Sequence, residues 1–151
     1  MSKIHGQIFI AQPAEAVFDF VADERNEPRY NSRMTRMVMT TPEPIHEGSR
    51  FAGSVKSRGR DLDLTLEFTE FQRPVSLRSR TVMSSNQVLG GLTFEQVNGG
   101  TVMSWSWEIR LSGFTQLFTP LVGRLGKRQE LGIWTNLKDL LENTDLAPGN
   151  Q

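Results

Sequence analysis

The chain has 151 residues, no cysteine, and 17 basic residues balanced by 17 acidic ones. This length suits one domain with its own core, and the lack of cysteine excludes disulfides, thiol nucleophiles and cysteine metal sites. The balanced charge, with no basic block, gives no reason to expect a nucleic-acid partner. No segment approaches the ~18 uninterrupted apolar residues of a membrane span, and the N-terminus lacks a secretory pattern. We therefore expect a cytoplasmic protein without stable membrane insertion.

The first part of the chain predicts one strand followed by short helices. Residues Lys3 to Ala11 alternate as a strand does, and Pro13 occupies the position where a helix commonly begins. The segment Asp23 to Tyr30 contains Pro28 and predicts a break followed by a turn or a second short helix. Met34 to Thr41 is a predicted strand whose weak alternation leaves its register open.

From Arg50 onward, five strands in succession show the alternation of an antiparallel sheet with one apolar and one polar face. A two-residue turn at Arg58-Gly59 puts the apolar residues of the flanking strands on one face. The pairs expected there are Val55 with Leu62, Gly53 with Leu64, and Phe51 with Leu66. Asn98-Gly99 is a strong hairpin signal, because both residues tolerate positive φ. It pairs Phe94 with Met103, Leu92 with Trp105, Gly90 with Trp107, and Val88 with Ile109.

The stretch from Phe114 to Glu142 predicts a long helix that covers the apolar face of this sheet. Its apolar residues recur at steps of three, four and seven, although Pro120 indicates that the regular part begins near Thr119. Trp134 lies off the main stripe, so a contact with the first strand, a neighbouring subunit or solvent stays open. Three glycines in the helix either allow close packing against the sheet or leave room for a bound molecule; they are Gly123, Gly126 and Gly132.

The order of these elements and several local motifs resemble the START-like helix-grip superfamily (SRPBCC), which includes polyketide cyclase/dehydrase and lipid-transfer relatives. Residues 8–18 resemble the first strand and first helix of that family, and Gly99-Gly100-Thr101 resembles its last hairpin. Its aspartate-to-aromatic segment is matched by Asp23, Asn26, Pro28 and Tyr30. The resemblance implies an α+β fold in which a curved seven-stranded antiparallel sheet grips a long C-terminal helix, with two short helices after the first strand. One such domain is expected over residues 1–143, followed by a flexible tail over 144–151.

The resemblance also implies a cavity for a hydrophobic small molecule between sheet and helix. We expect a binding or transport protein for a lipid-, sterol- or polyketide-like ligand; the alternative is a polyketide cyclase/aromatase-type enzyme that uses the same cavity. A partner-binding module and a homodimer are left open. The predicted ligand-binding residues are Tyr30, Phe51, Val55, Leu64, Leu66, Phe68, Ser79, Thr81, Leu92, Phe94, Trp105, Trp107, Phe118, Leu121 and Leu125.

Few side chains on the predicted inner face can ionise or form hydrogen bonds. Ser79 and Thr81 are polar residues on an otherwise apolar face, and each needs either an internal partner or a ligand group. Tyr30 either lines the cavity mouth or pins the short helices against the long one. No Asp, Glu, Arg or His points inward in the predicted register, unless a slip in the strand after Met34 brings in Arg36. We therefore predict no catalytic, cofactor-binding or metal-binding residue and no cofactor.

Overall fold

The computed structural model of the protein describes residues 2–112 and 119–144, with the side chains of residues 3–112 and 126–144. Seven strands form one sheet: β1 (Ser2–Ile10), β2 (Met34–Met39), β3 (Arg50–Ser57), β4 (Arg60–Gln72), β5 (Ser76–Met83), β6 (Asn86–Val97) and β7 (Gly100–Arg110). The helical elements are α1 (Ala14–Ala22), a 3-10 segment (Glu24–Arg29) and α2 (Thr119–Glu142). The predicted α+β helix-grip fold is confirmed.

The sheet is antiparallel throughout, in the order β1-β7-β6-β5-β4-β3-β2. The chain runs as a meander from β2 to β7, and β1 pairs with β7 at the far edge. Both predicted hairpin registers are confirmed, including Val55 opposite Leu62 and Gly90 opposite Trp107. Because register decides which side chains face inward, these two hairpins fix most of the inner surface of the sheet.

A proline and an aspartate shape the short helices between β1 and β2. Pro13 precedes α1 in an extended conformation, and the Asp23 carboxylate caps the 3-10 segment by accepting a hydrogen bond from the Arg25 backbone N–H at 3.1 Å. The Asn26 side chain donates to the Phe20 carbonyl at 3.0 Å and ties the segment to α1. The predicted break near Asp23 is therefore a change of helix type, and it turns Glu24 towards the protein interior.

The C-terminal half of α2 is fixed against the beginning of the chain. Leu137 and Leu141 are fully buried, the Lys138 ammonium donates to the Phe9 carbonyl at 2.7 Å, and Glu142 accepts from the Ala11 N–H at 2.8 Å. At Gly126 a side chain would meet Ile4, which favours close packing at that glycine. Residues 114–118 of the predicted helix lie outside the described residues.

One end of the space under the sheet is filled by aromatic rings. Phe18 of α1 packs edge-on against Phe71 and Phe94, each with ring centroids 5.2 Å apart. Phe51 and Phe68 continue this cluster with centroids 5.5 Å apart, and Phe68 also contacts Phe71. The solid core therefore lies under α1, and the room for a ligand lies further along α2.

Candidate functional site

A cavity of about 360 Å³ lies between the sheet, the 3-10 segment and α2. Its wall is mainly apolar, with a smaller set of polar side chains. The apolar residues are Val21, Met34, Met37, Val55, Leu62, Leu64, Leu66, Met83, Val88, Leu92, Trp107, Ile133 and Trp134. The polar ones are Glu24, Glu27, Asn31, Arg33, Lys56, Ser57, Ser79, Thr81, Gln129 and Glu130.

The structure brings seven of the predicted ligand-binding residues together on this wall: Val55, Leu64, Leu66, Ser79, Thr81, Leu92 and Trp107. Their part in binding stays a prediction. The structure places five other predicted ligand-binding residues in the packed core instead: Tyr30, Phe51, Phe68, Phe94 and Trp105. Alternation along a strand gives the face of a residue but not its position along the strand, so it cannot separate cavity wall from core. Phe118 lies outside the described residues, as do the side chains of Leu121 and Leu125.

Tyr30 and Trp134 form the aromatic contact between the short helices and α2. Their ring centroids lie 5.9 Å apart, Phe20 of α1 lies 6.2 Å from Tyr30 on another side, and Trp105 lies 6.0 Å from Trp134. Tyr30 thus pins the short helices to α2. Trp134 is buried and lines the cavity. The sequence left open a contact of Trp134 with solvent or with a neighbouring subunit, and its burial within the domain excludes both as its main environment.

Two hydroxyl groups face the cavity from the sheet. Ser79 is buried, Thr81 is partly buried, and neither side chain makes a hydrogen bond with another described residue. The sequence analysis left open whether each hydroxyl bonds to another group of the protein or to a group of a ligand. Among the described residues the internal partner is missing, which leaves both hydroxyls able to bind a polar group inside the cavity.

Three carboxyl groups also line the cavity, and the sequence-based expectation of no inward ionisable residue was wrong. Glu24 and Glu27 come from the 3-10 segment, and Glu130 comes from α2. That expectation considered only strand positions, whereas these residues lie on the helical walls opposite the sheet. The bulge between Met34 and Arg36 leaves Arg36 exposed.

Glu24 and Glu27 form a carboxyl pair within this wall. Burial is the main cause that raises the pKa of Glu24 well above its usual value, and the neighbouring Glu27 adds to the rise through its charge and a hydrogen bond. Burial also raises the pKa of Glu27, while hydrogen bonds from Glu24 and Asn31 partly offset it. The Asn31 amide donates to Glu27 at 3.1 Å. Glu24 Oε2 is buried and has no hydrogen-bond partner among the described residues.

Glu130 faces this pair from α2. Burial, followed by the charge of Glu27, raises the pKa of Glu130 to about 7. The indole N–H groups of Trp134 and Trp107 approach Glu130 and lower this pKa in part, but neither makes a well-aligned hydrogen bond. A carboxyl with this pKa is present in both protonation states at neutral pH.

The cationic side chains on the cavity wall lie at its outer edge. Arg33 is exposed and donates to the Gln129 side chain at 3.4 Å, and Lys56 is exposed and lies 3.8 Å from Asp61. The residues whose charge raises the pKa of Glu24 and Glu130 are acidic: Glu27 acts on both, and Asp23 acts on Glu24. Among the described residues, the ionisable groups in the interior of the cavity are therefore carboxyls, and the cations lie at its edge.

The sequence did hold a signal for one of the carboxyls, Glu130. The sequence analysis put Trp134 off the main stripe, but Trp134 is buried together with Leu137 and Leu141, and the three residues follow one another at the steps of three and four of a buried helical stripe. Extending this stripe back by four residues reaches Glu130, a charged residue on a buried face. Such a position is unusual enough to mark a candidate site.

Within residues 2–112 and 119–144 no group of three or more His, Asp or Glu side chains is arranged to hold a metal ion. None of the described helices is long and apolar enough to cross a membrane.

A curved antiparallel sheet that grips a C-terminal helix around a partly apolar cavity defines a START-like helix-grip protein. The chain belongs to the family described as "Polyketide cyclase / dehydrase and lipid transport", whose model matches residues 1–142. The resemblance seen in the sequence is thereby confirmed. No curated protein matches the sequence.

Solved structures show the same fold at low sequence identity. A START superfamily protein from Mycobacterium smegmatis has a TM-score of 0.77 and 13% identity, with 95% of this chain and 99% of that one covered. The protein TTHA0849 from Thermus thermophilus has a TM-score of 0.73 and 18% identity, with 91% and 94% covered. The di-domain ARO/CYC StfQ from the steffimycin biosynthetic pathway has a TM-score of 0.77 and 12% identity, with 93% of this chain and 50% of that one covered. This chain therefore corresponds to about half of StfQ.

Proposed function

We propose that the protein binds or transports a hydrophobic small molecule, of lipid-, sterol- or polyketide-like character, in the cavity between the sheet and α2. The observation that carries this proposal is the cavity of about 360 Å³ with a largely apolar wall and a few convergent polar groups. That combination is what small-molecule sites require, because apolar surface supplies affinity and fixed polar groups supply orientation. The family description, which includes lipid transport, supports the same role.

The dimensions of the cavity favour a compact ligand. Its volume of about 360 Å³ lies near the lower end of the ~300–1,000 Å³ range of small-molecule pockets. One ring system or one short chain fits this space better than a lipid with two long chains. Met34, Met37 and Met83 on the wall can adjust to ligands of different shape, because methionine is flexible and polarisable.

A second candidate function is catalysis of the polyketide cyclase/dehydrase type in the same cavity. The observation that favours it is Glu130, whose pKa of about 7 suits a group that accepts and returns protons at neutral pH. The family description and the structural likeness to StfQ agree with this alternative. In this case Glu130→Gln should abolish turnover of a polyketide-like chain and leave its binding intact. Turnover that survives this change would eliminate Glu130 as the acid–base group.

The binding proposal is tested by filling the cavity. Thr81→Phe puts a ring into the cavity from β5, and Thr93→Phe makes the same change on the exposed face of β6. We expect the uncharged fluorescent probe N-phenyl-1-naphthylamine to bind the native protein and the Thr93→Phe variant, but not Thr81→Phe. Thermal unfolding of all three proteins checks that the fold is retained. Absence of probe binding by the native protein, or equal binding by both variants, would contradict a ligand site in this cavity.

The cytoplasmic location stays a prediction from the sequence, and a homodimer stays open.

A further inference from the structure

At the carboxyl-lined end of the cavity (Glu24, Glu27 and Glu130), buried carboxyl oxygens lack a hydrogen-bond partner among the described residues, and so do the indole N–H groups of Trp107 and Trp134 beside Glu130. Glu24 is 7% exposed and its Oε2 atom has no hydrogen-bond partner among the described residues, although it lies on the cavity wall. Glu130 Oε2 is also buried without a partner in the described part of the chain. An unpaired buried carboxyl oxygen costs free energy, so both atoms are suited to a donor that enters with the ligand.

The charges around these groups narrow the kind of donor. Glu27 raises the pKa of both Glu24 and Glu130, and Asp23 raises that of Glu24 further. The cavity-lining cations Arg33 and Lys56 lie at the exposed edge. Tyr30, which is buried beside the carboxyls, has its own pKa raised by burial and by the charges of Glu27, Glu24 and Glu130. Among the described residues, the titratable groups buried at this end are therefore carboxyls and Tyr30, whereas the nearest cations, Arg25 on Asp23 and Arg33 and Lys56 on the cavity edge, are exposed.

Three classes of ligand head group can be compared in this environment. A carboxylate or phosphate would add like charge in a poorly solvated place and would be repelled. A hydroxyl could donate one hydrogen bond but would leave the mutual repulsion of the carboxylates unchanged. An ammonium group can donate up to three hydrogen bonds and opposes the negative charge directly. Trp107 and Trp134 also line the cavity, and aromatic rings attract cations.

We propose that the ligand carries a basic nitrogen on a compact hydrophobic body, and that Glu27 and Glu130 hold this nitrogen as a cation with Glu24 as an additional acceptor. This proposal rests on the proposed binding function and specifies its ligand class. The indoles of Trp107 and Trp134 lie beside the Glu130 carboxyl, and the apolar wall contributed by β3, β4 and β6 receives the rest of the molecule. The site thereby selects against fatty acids and phospholipids.

The test uses three ligands that share one chain and differ only in the head group: n-octylamine, n-octanol and n-octanoate. Each is titrated at pH 8 against the native protein loaded with N-phenyl-1-naphthylamine, and displacement of the probe gives the affinity. At this pH an alkylamine is still protonated, and Glu130 is mostly ionised. We expect the amine to bind at least about tenfold more tightly than the alcohol, as expected for charge-assisted hydrogen bonds. Octanoate should bind most weakly.

Matched variants show whether the preference arises at the proposed end of the cavity. Glu130→Gln keeps the shape and removes the charge, and should weaken octylamine about tenfold while leaving octanol unchanged. Glu95→Gln removes a charge from the exposed face of β6 and should alter neither affinity. Thr81→Phe should abolish binding of all three ligands, which excludes attachment of the amine to the outer surface.

The outcomes separate this inference from the function on which it rests. If octanol or octanoate binds as tightly as octylamine, or if Glu130→Gln leaves the amine preference intact, the basic-nitrogen class is wrong and the hydrophobic binding function stands. If the native protein binds neither the probe nor any octyl compound, the binding function itself is wrong and the inference falls with it.

Discussion

At the scale of single residues, the local environment of Glu130 determines what the cavity can do. Its carboxyl is largely removed from water, faces the negative Glu27, and has only the imperfectly aligned N–H groups of Trp107 and Trp134 in compensation. Burial is the largest of these influences, so the pKa of Glu130 rises to about 7. Trp107 and Trp134 lie beside Glu130 and therefore offer a way to follow its charge.

We expect the intrinsic tryptophan fluorescence of the protein to change with pH, with a midpoint near the Glu130 pKa of about 7. The physical reason is that ionisation places a negative charge beside the indole rings of Trp107 and Trp134. The Glu130→Gln variant should lose this transition, and the exposed Glu95→Gln variant should keep it. A transition of unchanged midpoint and amplitude in Glu130→Gln would show that another group causes it.

At the scale of elements, glycines play different parts in the sheet and in α2. Gly90 lies in β6 with φ of +140° opposite Trp107, and an added Cβ would collide with the Ser106 carbonyl of β7. Gly132 lies in α2 on an exposed face, and an added Cβ would meet no atom within 4 Å. The first glycine is therefore required by the backbone of the sheet, whereas the second only weakens its helix.

The same substitution should have opposite effects at these two positions. Gly90→Ala should lower the free energy of unfolding by about 1–3 kcal/mol or more, because it adds both backbone strain and a steric clash. Gly132→Ala should raise it by up to about 1 kcal/mol through better helix propensity. Urea unfolding followed by far-UV circular dichroism measures both. A neutral or stabilising Gly90→Ala change would mean that β6 can shift away from β7 without cost.

The elements also show which part of the structure could be predicted. The alternation along β3 to β7 and the Arg58-Gly59 and Asn98-Gly99 turns specify register locally, so the hairpins followed from the sequence. The cavity wall could not be predicted in this way. Which strand residues line it depends on how far along each strand the phenylalanine cluster around Phe18 extends. The bulge after Met34 and the inward turn of Glu24 are also consequences of tertiary packing. Neither feature produces a repeating pattern of apolar residues from which it could be predicted.

At the scale of the whole molecule, one end of the interior is solid and the other holds charge in a cavity. The phenylalanine cluster under α1 is a packed core, whereas the carboxyls beyond it gain nothing from burial. Burial raises the pKa of each of Glu24, Glu27 and Glu130, so ionisation of each group opposes folding. The site is thus maintained at the expense of stability, as is common where function requires unpaired polar groups.

The sign of the resulting pH dependence follows from linkage. Since the folded-state pKa of these carboxyls exceeds the unfolded value, the folded protein binds more protons than the unfolded chain above pH of about 4.5. Their contribution to stability is complete below that pH and is lost as the pH rises through the folded-state pKa, which is about 7 for Glu130. We therefore expect the protein to be more stable at pH 5 than at pH 8.5. Glu142, whose pKa is lowered by Lys138, changes stability only in more acidic solution.

Glu130 alone should account for at most about 3 kcal/mol of this loss, the free energy equivalent to a pKa rise from 4.5 to about 7. Urea unfolding at pH 5 and pH 8.5 measures the loss in the native protein and in the double variant Glu24→Gln/Glu130→Gln. Glutamine keeps a donor beside Glu27 but cannot ionise, so the double variant should lose less stability than the native protein between the two pH values and should be more stable than it at pH 8.5. Glu27, whose pKa is also raised by burial, accounts for the remaining loss. An equal decline in both proteins would place the responsible groups elsewhere and would remove the argument that this end of the cavity is electrostatically frustrated without a ligand.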